Sequence, residues 1–267
     1  MSARALVIDA HGAIEQALCS RLAAAGTRVL AHRREAVDAV AVAAAGADDA
    51  VTFQDGGPGV TNVSAAHPAE HLAAWDASHG PFDTIVFGRP RDASAGPGAA
   101  GPVEAAEAAS EFDSFEAFDA FAGRLETRLG DFLATLQAAA TLLRRGGNAQ
   151  IWALTQEDSM GYYLATTPGA LPVDVRARHA AVKSLGKEML RLGVKVNAAH
   201  LQPAAEEAAD ASAWSDARDG LKAFALRFKP NGAGAVANAL AAWIARDDLP
   251  VAGMVVPIGI GFPENNL

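Results

Sequence analysis

The chain has a single cysteine, Cys19, in 267 residues, so it can build neither an internal disulfide nor a cysteine-rich metal site. Cys19 falls on the apolar face of an expected helix, where a small buried thiol is ordinary filler. Basic residues are the minority, 22 Lys and Arg against 31 Asp and Glu, and they are scattered. No basic stripe is available to neutralise a phosphate backbone, which excludes nucleic acid as an expected partner. Long hydrophobic runs are missing too, and nothing approaches the ~20 apolar residues of a membrane span. The first residues run straight into a strand-like segment without the basic stretch, apolar core and cleavage site of an export signal, so cytoplasmic residence and no membrane partner are expected. Aromatic residues make up 6%, with only two tyrosines, Tyr162 and Tyr163. No Gly-x-Ser-x-Gly elbow and no Walker loop occur, which leaves those hydrolase and nucleotide-triphosphatase chemistries without support. The closest group of metal-ligating types is His67, Glu70 and His71. It has no third ligand, and with Pro68 it reads as an exposed helix start, so no metal site is expected.

What remains is an Ala-rich sequence, 51% apolar, of a length that suits one α/β domain. Short β-branched runs alternate with longer Ala- and Leu-rich stretches, the pattern of a parallel sheet covered by helices on both faces. Strands are expected over residues 5–8, 28–31, 50–53, 84–87, 150–154, 195–201 and 253–258. Apolar residues at three- and four-residue spacing predict helices over 13–25, 69–78, 115–145, 176–192 and 233–246. Residues 93–110 hold almost no large apolar side chain and read as a flexible Ala/Gly/Pro-rich surface loop within the domain. The expectation is a single Rossmann-like, doubly wound domain over residues 1–267, with a parallel sheet of about seven strands.

Several stretches resemble the short-chain dehydrogenase/reductase family. The best is SLGKEMLRLGVKVNAAHLQP, Ser184 to Pro203, with Glu188 on a helix, then Gly193 and a strand opening at Val196 to Ala198. The opening ALVIDAHGAIEQALCSRLAAAGTRVLAH, the segment DTIVFG, the block FLATLQAAATLLRRGGNAQIWALT and the closing VAGMVVPIGIG follow in the family's order and spacing, covering nearly the whole chain.

The resemblance implies four motifs that carry the family's chemistry, and each is altered. A glycine-rich TGxxxGxG turn lets the cofactor pyrophosphate approach main-chain amides at a helix N-terminus; registering on Leu22 to Gly26 puts Asp9, Ala13 and Glu15 at its three glycines. Glu15, with Asp9, would then face or crowd the pyrophosphate. The NNAG segment reads Phe87, Gly88, Arg89, Pro90, and Arg89 is expected to be a solvated surface residue, with the holding of some anion as the other reading. The catalytic Ser, Tyr and Lys map to Thr155, Leu171 and Val175. The residues four beyond Tyr162 and Tyr163 are Thr166 and Thr167, so no Tyr-x-x-x-Lys exists, and the two tyrosines are at most remnant candidates for a relocated acid. The family's helical Asn falls at Thr127 or Arg128. The closing strand puts Ile258 or Gly259 at its acidic position.

These losses imply a chain that keeps the fold without the hydride-transfer chemistry: no catalytic residues, no bound cofactor, and NAD or NADP held instead by a partner. The resemblance implies pairing through the helices at 115–145 and 176–192, with a catalytically active family member that oxidises alcohols or hydroxyacyl-CoA compounds or reduces ketones, as a hetero-oligomer such as a heterotetramer. Two alternatives stand beside it. One is a divergent active NAD(P)-dependent reductase using Tyr162 or Tyr163 with Thr155, supported by Arg33 and Arg34 after the second strand. The other is a small-ligand binding protein that reuses the old cofactor cleft.

Overall fold

The computed structural model describes residues 3–33, 59–89, 115–145, 149–156, 173–201, 204–205, 231–246 and 248–259. The expected strand at 50–53, the loop at 93–110, Arg34, Pro90, Tyr162, Tyr163 and Leu171 lie outside the described residues.

Along the chain come β1 (Arg4–Ile8), α1 (Ala13–Ala24), β2 (Arg28–Arg33), β3 (Val60–Ser64), α2 (Pro68–His79), β4 (Thr84–Phe87), α3 (Phe115–Leu143), β5 (Ala149–Gln156), α4 (Val173–Met189), β6 (Val194–Leu201), β7 (Ala204–Ala205), β8 (Asn231–Gly232), α5 (Ala233–Ile244) and β9 (Val255–Ile258). A short 3-10 turn, Leu190–Leu192, and Gly193 in the left-handed region (φ 75°) join α4 to β6. Seven strands form one parallel sheet in the order β3-β2-β1-β4-β5-β6-β9, and β7 pairs with β8 in a separate two-residue ladder. This is the doubly wound arrangement the sequence pattern predicts.

The third sheet strand is Val60–Ser64, a segment absent from the expected strands. Its sequence, VTNVS, is too polar to stand out, yet pairing with β2 from Val29↔Val60 to Arg33↔Ser64 buries Asn62 and Val63. Helix α4 starts three residues before its expected first turn, at Val173, with Asp174 in that turn and its Oδ1 accepting the Val175 amide N–H at 2.9 Å.

Side chains alternate across the strands, so the sheet divides the interior into two layers. Leu6, Ile8, Ile85 and Phe87 pack with Leu72 of α2, Phe132 and Leu136 of α3 and Val182 of α4. On the other face Val7, Val86 and Trp152 meet Ile14, Leu18 and Leu22 of α1 and Leu240 of α5. The strand order reverses between β1 and β4. In a doubly wound sheet the crevice beyond the carboxyl ends of two such strands is where ligands bind.

Candidate functional site

At that crevice the chain turns from β1 into α1 through Asp9 and Gly12. Asp9 adopts φ 58°, the left-handed region that glycine favours and Asp tolerates better than most residues. The turn therefore keeps a left-handed residue at the first glycine position of the motif while adding a carboxylate. The Asp9 amide donates to Nδ1 of His32 at 3.2 Å, and His32 Nε2 lies 2.9 Å from the carbonyl of Ala65. Together these partners fix His32 as the Nε2–H tautomer, because Nδ1 accepts and Nε2 donates. The wholly buried imidazole locks the carboxyl end of β2 between β1 and the residue after β3.

Ala13 is the first residue of α1, following Gly12 at the N-cap. One turn in, Glu15 is 1% exposed and Arg89, two residues past β4, is 5% exposed. The two form a bidentate pair: Arg89 Nε donates to Glu15 Oε1 and Nη2 to Oε2, both at 2.7 Å, and the Arg89 amide N–H reaches Oε1 at 3.2 Å. Arg89 Nη1 donates to Gln156 Oε1 at 2.6 Å. The guanidinium thus ties β4, β5 and α1 together. Desolvation would push the Glu15 carboxyl up, but the charge and hydrogen bonds of Arg89 outweigh it and hold the group below the usual carboxylate range. Placement in the first helical turn adds a favourable dipole interaction. The expectation of a solvated Arg89 is corrected here: the carboxylate at position 15 supplies a buried counter-charge. Gly88 is required by close approach, since a Cβ there would collide with the Asp9 carbonyl oxygen.

At the carboxyl ends of β5 and β6 lies a second cluster, in which Thr155 meets two histidines that sequence reasoning missed. The register Thr155↔His200 puts these residues side by side, and α4 lays His179 across them. Thr155 Oγ1 is 2.8 Å from His179 Nε2 and 3.0 Å from His200 Nδ1, and all three residues are buried. The imidazole planes meet edge to face with centroids 5.0 Å apart. One hydroxyl can donate to only one imidazole, so the other donates to it, giving a directional chain of two hydrogen bonds. Desolvation, with the charge of the other histidine and of Lys183 and Arg176, lowers His179 to about 4. Desolvation and Arg176 lower His200 to about 4. The signals in the sequence were Thr155 at the position of the family's Ser and a His near the end of the next strand.

Val175 is buried at 2%, with no proton to transfer. Beside it, Arg128 Nη2 donates to Asp174 Oδ2 at 3.1 Å, so one of the two positions that align with the family's helical Asn holds an ion pair to α4. Arg178 packs its guanidinium over the Phe132 ring at 4.2 Å. His67 is the exposed residue preceding α2, with Pro68 in the first turn, and its Nδ1 lies 3.7 Å from an Asp131 carboxylate oxygen. Cys19 is buried, and desolvation followed by the Glu15 charge pushes its thiol up to about 12.

No protein-family model and no curated protein matches the chain. Solved structures do. They include a protein from Thermus thermophilus, 18% identical with a TM-score of 0.64 and 97% of each chain covered. A short-chain dehydrogenase/reductase from Serratia marcescens is 16% identical, with a TM-score of 0.61 and 96% of each chain covered. A dehydrogenase/reductase from Sinorhizobium meliloti is also 16% identical, with a TM-score of 0.61, covering 96% of this chain and 93% of that one. The chain has the fold of the short-chain dehydrogenases/reductases, a single parallel sheet of seven strands wound on both faces. Among the described residues, no helix is long and apolar enough to cross a membrane.

Proposed function

We propose that this chain is a non-catalytic subunit with the short-chain dehydrogenase/reductase fold, which pairs with and stabilises a catalytically complete, NAD(P)-dependent member of that family. The observation that carries the proposal is the Glu15–Arg89 pair. In this fold a nicotinamide dinucleotide would set its pyrophosphate at the N-terminus of α1, against main-chain amides. Here that turn presents a fully buried carboxylate already bonded twice by the nearest guanidinium. A pyrophosphate would have to displace the carboxylate from Arg89 and leave it buried beside a second anion. The residues present do not fit the cofactor, and the Glu15 carboxylate acts as an internal anion in its place.

The pairing surface is the outer face of α3 and α4. A groove of about 430 Å³ runs between them over Leu136, Ala140, Leu185 and Met189, with Leu133 and Leu192 on its edges. Leu133 is 46% exposed and Leu192 45%, an apolar display on helices that the resemblance assigns to a four-helix contact. The substrate of the partner would be an alcohol, a hydroxyacyl-CoA compound or the matching ketone.

The test is calorimetry of the purified chain with NAD and NADP in both redox states. Absence of binding up to millimolar cofactor is expected, together with a complex on size exclusion when the chain is co-expressed with a complete family member encoded beside it. Micromolar cofactor binding in the crevice, or a chain that stays alone beside every such candidate, would overturn the proposal.

One observation favours the rival reading of a divergent active reductase: Thr155, at the substrate-orienting position, touches two imidazoles. A reductase needs a protonated acid there, and a group titrating near 4 is protonated in roughly one molecule in a thousand at neutral pH. The cluster therefore suits structural closure of the pocket better than proton donation to a carbonyl.

A further inference from the structure

The strands begin, at the opposite end of the sheet from Glu15 and Arg89, with two arginines. Arg4 opens β1 and Arg28 opens β2, and they are direct register partners. Neighbouring strands lie about 4.8 Å apart and paired residues share a face, so the two cations leave the sheet side by side. Both line a cavity of about 380 Å³ with Ser78 and His79 at the end of α2, Thr61 of β3 and Phe82.

Among the described residues neither guanidinium makes a hydrogen bond or an ion pair, and Arg4 Nε is buried without a partner. The neighbouring acid is already engaged, because Asp83 Oδ2 accepts the main-chain N–H of Arg4 at 2.9 Å. The Arg4 guanidinium lies flat against Gly80, close enough that a Cβ there would stand 2.5 Å from Nη1. The side chain is thus held in place with its donors unused. The last carbonyls of α2 bring about half a negative charge to this rim. That dipole accounts for one cation and not for two, in a protein whose net charge is −9.

We propose that this cavity is a binding site for a phosphate monoester of a small soluble organic molecule. Its dianionic head sits between the guanidiniums of Arg4 and Arg28, where planar N–H donors meet phosphate oxygens in pairs. Thr61 and His79 supply further polar contacts at the rim. Val60, beside the largely buried Phe82, receives the carbon skeleton, which separates this site from a simple patch of positive charge. The site is independent of the crevice and of the pairing proposed above.

Phenyl phosphate and inorganic phosphate are the probes, titrated by calorimetry into the whole chain at physiological salt. Phenyl phosphate is expected to bind, and at least about fivefold more tightly than inorganic phosphate, because burying even part of a ring adds apolar contact. Arg28→Gln, at an exposed position where the fold tolerates change, should weaken it about tenfold, the loss of one charge-assisted contact. Arg4→Gln should do the same, and Arg21→Gln, removing equal charge from an exposed turn of α1, should leave binding unchanged. Melting curves confirm that each variant is folded. Residual NADP binding, through its 2′-phosphate monoester, that disappears in Arg28→Gln belongs to this cavity and not to the crevice. The proposal is overturned by absence of phenyl phosphate binding at millimolar concentration, or by equal, salt-sensitive binding of phosphate and sulfate. Recruitment to vesicles carrying phosphatidic acid without binding of the soluble ester would likewise overturn it, in favour of a lipid headgroup.

Discussion

At the scale of single residues, the features that distinguish this chain are charges and hydroxyls turned inward. Glu15 and Arg89 satisfy each other so completely that removing either leaves a buried, uncompensated charge, which costs about 3–5 kcal/mol. Arg89→Met should therefore lower the urea midpoint sharply, whereas Glu15→Leu combined with Arg89→Met should recover much of the loss, since two apolar groups need no partner. A double variant no better than the single one would show that the main-chain bond from Arg89 and the contact to Gln156 carry the stability instead. The histidines give a pH signature. Both titrate near 4 when folded and near 6.5 when unfolded, so between those values the unfolded chain binds more protons. Stability should be undiminished by this pair above pH 6.5 and fall steadily as the pH drops towards 4. Glu15, lowered from 4.5, adds its own loss further down. Melting temperatures measured across pH 4 to 7 should fall less steeply for His179→Gln than for the parent. A parallel slope would remove His179 from the account.

At the scale of elements, helix α4 fits tightly against the segment that enters β9. Gly186 faces the segment entering β9, where an added Cβ would collide with Gly253 Cα and stand 2.6 Å from its nitrogen. Those are main-chain atoms, and they are pinned: the Gly253 amide donates to the Val196 carbonyl at 2.7 Å, and Asn197 brackets the segment by donating to Val251 and accepting from the Met254 amide. Gly186→Ala would gain about 1 kcal/mol of helix propensity but incur roughly 1–3 kcal/mol of overpacking. The variant should be less stable in urea, and a stabilised one would mean that the β9 approach can shift. This also explains Asn197 within the VNA stretch without any catalytic role: its amide fastens the closing strand to β6.

At the scale of the whole molecule, the pairing proposed above rests on the outer face of α3 and α4. Leu133 and Leu192 are about half exposed, so converting both to Glu should leave the chain folded, at a cost of no more than about 1 kcal/mol each. The same change would place charge in the proposed interface and should abolish a complex with the proposed partner on size exclusion. Loss of folding in that variant would show that the leucines serve the chain's own core, and a surviving complex would move the interface elsewhere.

The fold was legible in the sequence because its causes are local: alternation of β-branched runs with helical periodicity, and glycines at the turns, specify a doubly wound sheet. The strand Val60–Ser64 was the exception, since VTNVS carries too little apolar signal by itself and becomes a strand through pairing with β2. Sequence registration also pointed to positions 9, 13, 15, 155, 171 and 175 as those where the resemblance implies altered chemistry. What it could not weigh was how the altered residues treat one another. Glu15 and Arg89 are 74 positions apart, and Thr155, His179 and His200 span 45. Read singly, Arg89 is a surface cation and each histidine one among seven. Only the parallel order of β1, β4, β5 and β6 brings their carboxyl ends together. There the absence of water turns a lone charge into a paired one and two ordinary imidazoles into neutral partners of a single hydroxyl, because desolvation depends on neighbours that the linear sequence does not list side by side.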